Sequence, residues 1–175
     1  MKIAILSDTH GWLDEQLLAH VQEADEIWHA GDVGNIEVIE TLGRLPGKLR
    51  VVYGNIDDQP VRQATGEWVN FTAGGLRVLI THIAGRPPRY NARVRQKIAE
   101  HQPDLLVCGH SHILKVMPDK ANSLLFINPG ACGHHGFHKI RTIITLQITA
   151  GKPHALQVVE LGKRGRISTQ PARPG

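Results

Sequence analysis

The chain has 175 residues, 41% of them apolar and 21% charged, which suits one domain with a proper core, and no apolar run approaches the ~18 residues of a membrane span. Net charge is +4, but the Lys and Arg residues are scattered or gathered in the terminal Lys163-Arg164-Gly165-Arg166, which argues against an extended nucleic-acid surface. Two cysteines, Cys108 and Cys132, form no disulfide framework, and Asp8 and His10 interrupt the apolar stretch a secretory leader needs, so a cytoplasmic location is expected.

In chain order, Lys2–Ser7 reads as a buried strand and Trp12–Gln22 as a helix with Leu13, Leu17, Leu18 and Val21 on one face. Glu26–His29 is a short strand, Ile36–Leu42 a helix stopped by Gly43, and Leu49–Tyr53 a strand ended by Gly54. Glu67–Thr72 and Leu76–Thr81 flank Ala73-Gly74-Gly75 as a hairpin. Gly85–Arg89 reads as a loop, and Tyr90–Glu100 as a helix that Pro103 bars from continuing. Leu105–Cys108 is an apolar strand. Ile113–Met117 pairs with Leu124–Ile127, and Lys139–Ile148 with Ala155–Leu161. Strand–helix alternation followed by strands alone predicts an α/β fold, a two-sheet sandwich with helices outside, rather than a doubly wound sheet. One domain over residues 1–162 is expected, with a polar tail at 163–175 expected to be disordered.

Five turns share one design, an apolar strand followed by a polar or glycine-rich turn with metal-type ligands. They are Ser7-Asp8-Thr9-His10, Ala30-Gly31-Asp32, Gly54-Asn55-Ile56-Asp57, Ile80-Thr81-His82 and Gly109-His110-Ser111-His112. Residues two apart on an extended segment point the same way, so Asp8 and His10 aim into one space. Strand C-terminal ends are where open α/β sheets place ligands. The pooled carboxylate, imidazole and amide donors, without thiolate, suit Mn, Fe, Zn or Ni rather than Ca alone.

In that order the turns resemble the calcineurin-like metallophosphoesterase family, with its series Asp-x-His, Gly-Asp, Gly-Asn-x-Asp, Thr-His and Gly-His-x-His. The short length and Asn128-Pro129-Gly130 are similar to its small bacterial and archaeal phosphodiesterase branch, which shares its fold with a retromer subunit. The resemblance covers roughly residues 1–161 and implies an αββα sandwich. It also implies two divalent cations, with manganese favoured. Asp8, His10 and His112 would hold one cation, Asn55, His82 and His110 the other, and Asp32 would bridge them. The implied activity is hydrolysis of a phosphate ester by a metal-bridging hydroxide, with a small phosphodiester or nucleotide-like substrate. Two cations held ~3.5–4 Å apart need a shared anion, which a carboxylate supplies.

The chain departs from the pattern in two turns. Ile56 stands where many relatives carry a histidine that assists the leaving group, and losing a general acid costs ~10²–10⁴-fold; a preference for esters with good leaving groups is therefore implied. Ile83 replaces the glycine after the Thr-His ligand. Asp57 reads either as a residue orienting the ligand loop or as an Asx turn. Arg86 and Arg89 are candidates for binding a substrate anion, against ordinary solvated loop charge. His134 and His135 are candidates at the pocket mouth, and Cys132, His134, His135 and His138 also allow a third metal site. His29 reads as structural or exposed, and Trp12 as packing. The rival from another class is a binding scaffold on the same fold, which loss of ligands would favour; all seven positions are intact. A homodimer through exposed sheet edges is a further expectation.

Overall fold

A computed structural model describes residues 1–165. In chain order the elements are β1 (Lys2–Leu6), α1 (Glu15–Val21), β2 (Glu26–His29), α2 (Ile36–Gly43), β3 (Lys48–Val51), α3 (Gln59–Ala64), β4 (Trp68–Ala73) and β5 (Leu76–Thr81). Then follow β6 (Gly85–Arg86), β7 (Arg89–Tyr90), α4 (Ala92–His101), β8 (Leu105–Val107), β9 (Lys115–Asp119), β10 (Leu124–Asn128), β11 (Ile140–Thr149) and β12 (Lys152–Lys163).

Two five-stranded sheets are built, ordered β12-β11-β1-β2-β3 and β4-β5-β8-β10-β9. In the first, β1, β2 and β3 run parallel and β11 joins β1 antiparallel. In the second, β5, β8 and β10 run parallel, with β4 and β9 antiparallel at the edges. The central parallel strands are apolar on both faces because both faces are covered. Ile3, Ile5 and Trp28 turn inward to meet Val78, Ile80, Leu105 and Val107 between the sheets. Ala4, Leu6 and Ile27 turn outward against Leu17 and Val21 of α1, Val38 and Leu42 of α2, and Val61 of α3. On the opposite outer face Leu79, Leu106 and Phe126 pack on Val94 and Ile98 of α4. The result is the expected αββα sandwich.

Local differences from the sequence reading have simple causes. The first helix starts at Glu15 rather than Trp12, because the Asp14 side chain caps it by accepting from Leu17 N–H. The helix α3 was not anticipated. Its six residues carry too short an apolar pattern to register, and it is set by the Asp58 cap and a proline in the first turn. The Gly85–Arg89 loop folds into the small β6–β7 hairpin. Strand β12 runs to Lys163, and Arg164 N–H bonds Lys139 O; the rest of the expected tail, from residue 166, lies outside the described residues. No helix among the described residues is long and apolar enough to cross a membrane. Asn35 caps α2 by accepting from Val38 N–H at 3.2 Å. Asn35→Ala is expected to lower unfolding free energy by about 1 kcal/mol, read by urea titration; a midpoint unchanged from wild type would contradict the cap.

Candidate metal centre

The five ligand-bearing turns leave the C-terminal ends of β1, β2, β3, β5 and β8, which all belong to the parallel parts of the two sheets, with β3 at an edge. Pairing brings the ends together. Asp8 N–H bonds Gly31 O and Gly109 N–H bonds His82 O, while His110 N–H reaches across the sandwich to Asp8 Oδ2 at 3.3 Å. The backbone is left-handed at Asp8, His10, Asp32, His110 and His112, with φ between 48° and 68°. L-residues avoid that region at a cost of ~1–2 kcal/mol each, and such strain concentrates where a side chain must be aimed.

Two clusters result. The first joins Asp8, His10, Asp32 and His112, and the second Asp32, His82 and His110, each with one donor atom per residue within 4.8 Å of the others. Asp32 belongs to both. Asn55 completes the second, its Oδ1 lying 2.8 Å from His110 Nδ1. His112 Nε2 is 3.1 Å from Asp8 Oδ1, and His82 Nε2 is 3.1 Å from Asp32 Oδ1. His10 Nε2 stands 3.8 Å from Asp32 Oδ2. Asp8 Oδ1, His10 Nε2 and His82 Nε2 are buried without a hydrogen-bond partner among the described residues. Buried polar atoms are seldom left so, and here they converge on common points, as cation ligands do. The donor set of two carboxylates, four imidazoles and an amide oxygen fits a pair of divalent first-row ions.

The calcineurin-like phosphoesterase superfamily domain matches residues 1–151. The chain belongs to that superfamily. Solved structures agree on the fold. An archaeal phosphodiesterase superposes with a TM-score of 0.71 at 22% identity, covering 92% of this chain and 100% of its own. Zinc-complexed wild-type Vps29 from Entamoeba histolytica gives 0.71 at 16%, covering 94% and 100%. A predicted phosphoesterase from Streptococcus pneumoniae gives 0.64 at 19%, covering 91% and 97%. No curated protein matches the chain by sequence.

Within this superfamily member, a second layer of contacts holds the candidate ligands. His82 Nδ1 lies 2.7 Å from Ala30 O. A carbonyl only accepts, so Nδ1 carries the proton and Nε2 presents its lone pair to the site. Burial opposes charge on His82, but the Asp32 and Asp8 carboxylates outweigh it and hold the imidazole above its ordinary pKa. Burial would likewise raise Asp32, yet His82, Ile56 N–H and His10 hold it below the usual carboxylate value. Burial dominates at His10 and lowers it, favouring the neutral ligand form.

Asp57 is buried and accepts from Val33 N–H (3.1 Å), Gly34 N–H (2.7 Å) and Gly54 N–H (2.7 Å). It therefore ties the Asp32 turn to the Asn55 turn, which is more than a local Asx turn does. Arg62 adds to the same loop, with Nε donating to Asp57 O and Nη2 to Gly54 O. Asn128 secures the Gly-His-x-His turn by donating to Gly109 O (2.8 Å) and Ser111 Oγ (3.1 Å). His29 lies beneath the site, fully buried; Gly31 N–H donates to its Nδ1, so Nε2 donates to Thr9 Oγ1. Burial pushes its pKa down to about 4, and it is a neutral strut. Gly54 is required by close approach, since a Cβ there would lie 2.1 Å from Asp32 Oδ1.

Among the residues suggested for substrate, Arg86 lines a cavity of about 320 Å³ shared with His110. Arg89 is exposed on β7 and does not line that cavity. The His135 ring lies 4.9 Å from His10, whereas His134 packs edge-on against Trp12 and contacts Arg164 O. His138 bonds Gly133 O and sits 5.3 Å from the His112 ring. No third metal-type cluster forms around these histidines among the described residues; Cys132 is buried and turned toward Ser7 O.

Sequence reasoning passed over Gly136, although its role is steric. A Cβ there would lie 2.0 Å from His112 Nδ1. Gly136 also has φ near 120°, which strains any other residue, so Gly136→Ala is expected to lower stability and, in the folded protein, to displace His112 and weaken metal affinity about 10–100-fold. Competition with a chromogenic chelator reads the effect, and wild-type affinity in the variant would refute it.

Proposed function

We propose that the chain is a dinuclear metal-dependent phosphoesterase that prefers phosphodiesters, with manganese favoured among Mn, Ni, Fe and Zn. The observation carrying this reading is the pair of ligand clusters that share Asp32 and direct buried, unpartnered donor atoms inward. Asp8, His10 and His112 would hold one cation, and Asn55, His82 and His110 the other. A bound pair of divalent ions supplies Lewis acidity, an activated water near neutral pH and compensation of charge on the phosphoryl oxygens. The chain's own part is to bring seven donors together, five of them on left-handed backbone, and to turn the His82 Nε2 lone pair toward the site by the bond from Nδ1 to Ala30 O. Its neutral Asn55 limits the negative charge of the second cluster. Ile56 offers no proton to a leaving oxygen, so esters of acidic alcohols are favoured.

The diester preference has support in the two cavities flanking the second cluster, of about 320 and 270 Å³, which give an organic arm room on each side. The test is hydrolysis of bis(4-nitrophenyl) phosphate and of 4-nitrophenyl phosphate by metal-stripped protein with Mn²⁺ restored. Metal-dependent turnover, faster on the diester, is expected. Absence of turnover with Mn²⁺, Ni²⁺, Fe²⁺ and Zn²⁺ in folded, metal-loaded protein would sink the enzyme reading and favour a scaffold.

A further inference from the structure

Four of the large apolar side chains left exposed lie close beside the candidate ligands in sequence. Trp12, Ile56, Ile83 and Ile113 are each at least 43% exposed, and each follows a candidate ligand within two residues. A polar, cation-holding centre is thus rimmed by apolar surface, which a soluble chain leaves uncovered chiefly where something binds. Two rim residues are also cavity walls. The 320 Å³ cavity beside His110 is bounded by Ile83, Ala84, Ile113 and Phe126, with Arg86 and Lys115 also among its lining residues. Its volume falls in the range of small-ligand sites. The 270 Å³ cavity across Ile83 is mixed, setting polar groups of Asn55, Arg62 and Glu67 beside the Tyr53 ring and Ile83 itself. Ile83 lines both and divides them.

We propose that the cavity beside His110 takes an apolar, aryl-sized arm of the phosphoester and that Ile83 and Ile113 determine this specificity. This rests on the phosphoesterase reading of the metal centre and narrows its substrate class. The cavity adjoins the second cluster at His110, so a phosphoryl group held there has it within reach of one substituent. An aryl group in this cavity buries much of its surface against four apolar side chains. Arg86 and Lys115 suit an arm that ends in an anionic or strongly polar substituent.

The experiment is calorimetric binding of phenylphosphonate and methylphosphonate to the Mn²⁺-loaded full chain. Their P–C bonds resist hydrolysis, and they differ only in the arm. Phenylphosphonate is expected to bind at least about tenfold more tightly, which corresponds to ~1.4 kcal/mol. In Ile113→Asn and in Ile83→Ser the ratio is expected to fall to about two, since each removes part of the apolar wall. Both positions are exposed, 65% and 43%, so neither change threatens the core, and melting curves verify the fold. Equal affinities in the wild type, failure of both phosphonates to bind, or a preference that survives both substitutions overturns the proposal. A protein that binds phenylphosphonate selectively yet hydrolyses no ester retains the cavity assignment and loses the enzyme reading, so the two failures are distinct.

Discussion

Asp32→Asn is expected to give a folded protein that retains a single cation and hydrolyses diesters roughly 10³-fold more slowly than the wild type. Asp32 is the one residue common to both ligand clusters, so its charge would bear on both of the proposed cations at once. The amide preserves size, and asparagine tolerates the left-handed conformation at this position, where φ is 51°. It also keeps an oxygen for Ile56 N–H, which donates to Oδ1 at 3.2 Å. The loss should therefore be electrostatic rather than structural. Metal analysis after exhaustive dialysis, run beside steady-state kinetics, reads both parts. A variant that keeps two cations and full activity would remove the bridging role from Asp32.

A second large effect is expected at a residue that ligates nothing. Asp57→Ala removes the acceptor of the Val33, Gly34 and Gly54 N–H groups together. Leaving a buried donor unpaired costs ~1–3 kcal/mol, and the loss of the whole carboxylate should destabilise the fold by about 3–5 kcal/mol. That is a large share of the roughly 5–15 kcal/mol that holds a domain folded. Because the freed groups belong to the turns of Asp32 and Asn55, metal affinity should fall as well. Asp57→Asn keeps one acceptor oxygen and should lose less on both counts. Guanidinium unfolding of the metal-free proteins provides the comparison; equal stability of wild type and Asp57→Ala would show that these contacts contribute nothing.

Much of this molecule was legible in the sequence because its central strands are short, continuous apolar runs that end abruptly in ligand-bearing turns. Glu26–His29 matches its strand end to end, and the seven candidate ligands, selected by the family resemblance of the five turns, come together in space. What escaped was set by contacts remote in sequence. Asp57 reads equally as a loop-orienting residue or an Asx turn, and what distinguishes the two lies 24 and 23 positions away, at Val33 and Gly34. Gly136 is one glycine among 18 until the His112 ring is placed against it. The short helix α3 has no periodic signal long enough to separate it from loop. His134 and His135 are adjacent and chemically alike, yet one faces Trp12 and the other His10, a division that only the backbone path decides.

The left-handed turns carry a further implication for how such a chain can change over time. Five of the residues that aim donors into the site occupy backbone conformations that glycine or asparagine would adopt with less strain. Stability and chemistry are therefore opposed at the same codons. Selection for robustness alone would replace these side chains early, and the sandwich beneath them would survive the exchange. A lineage freed from hydrolysis would thus be expected to shed its donors one turn at a time while keeping its architecture. Retention of all seven in this chain is what the proposed phosphoesterase activity requires.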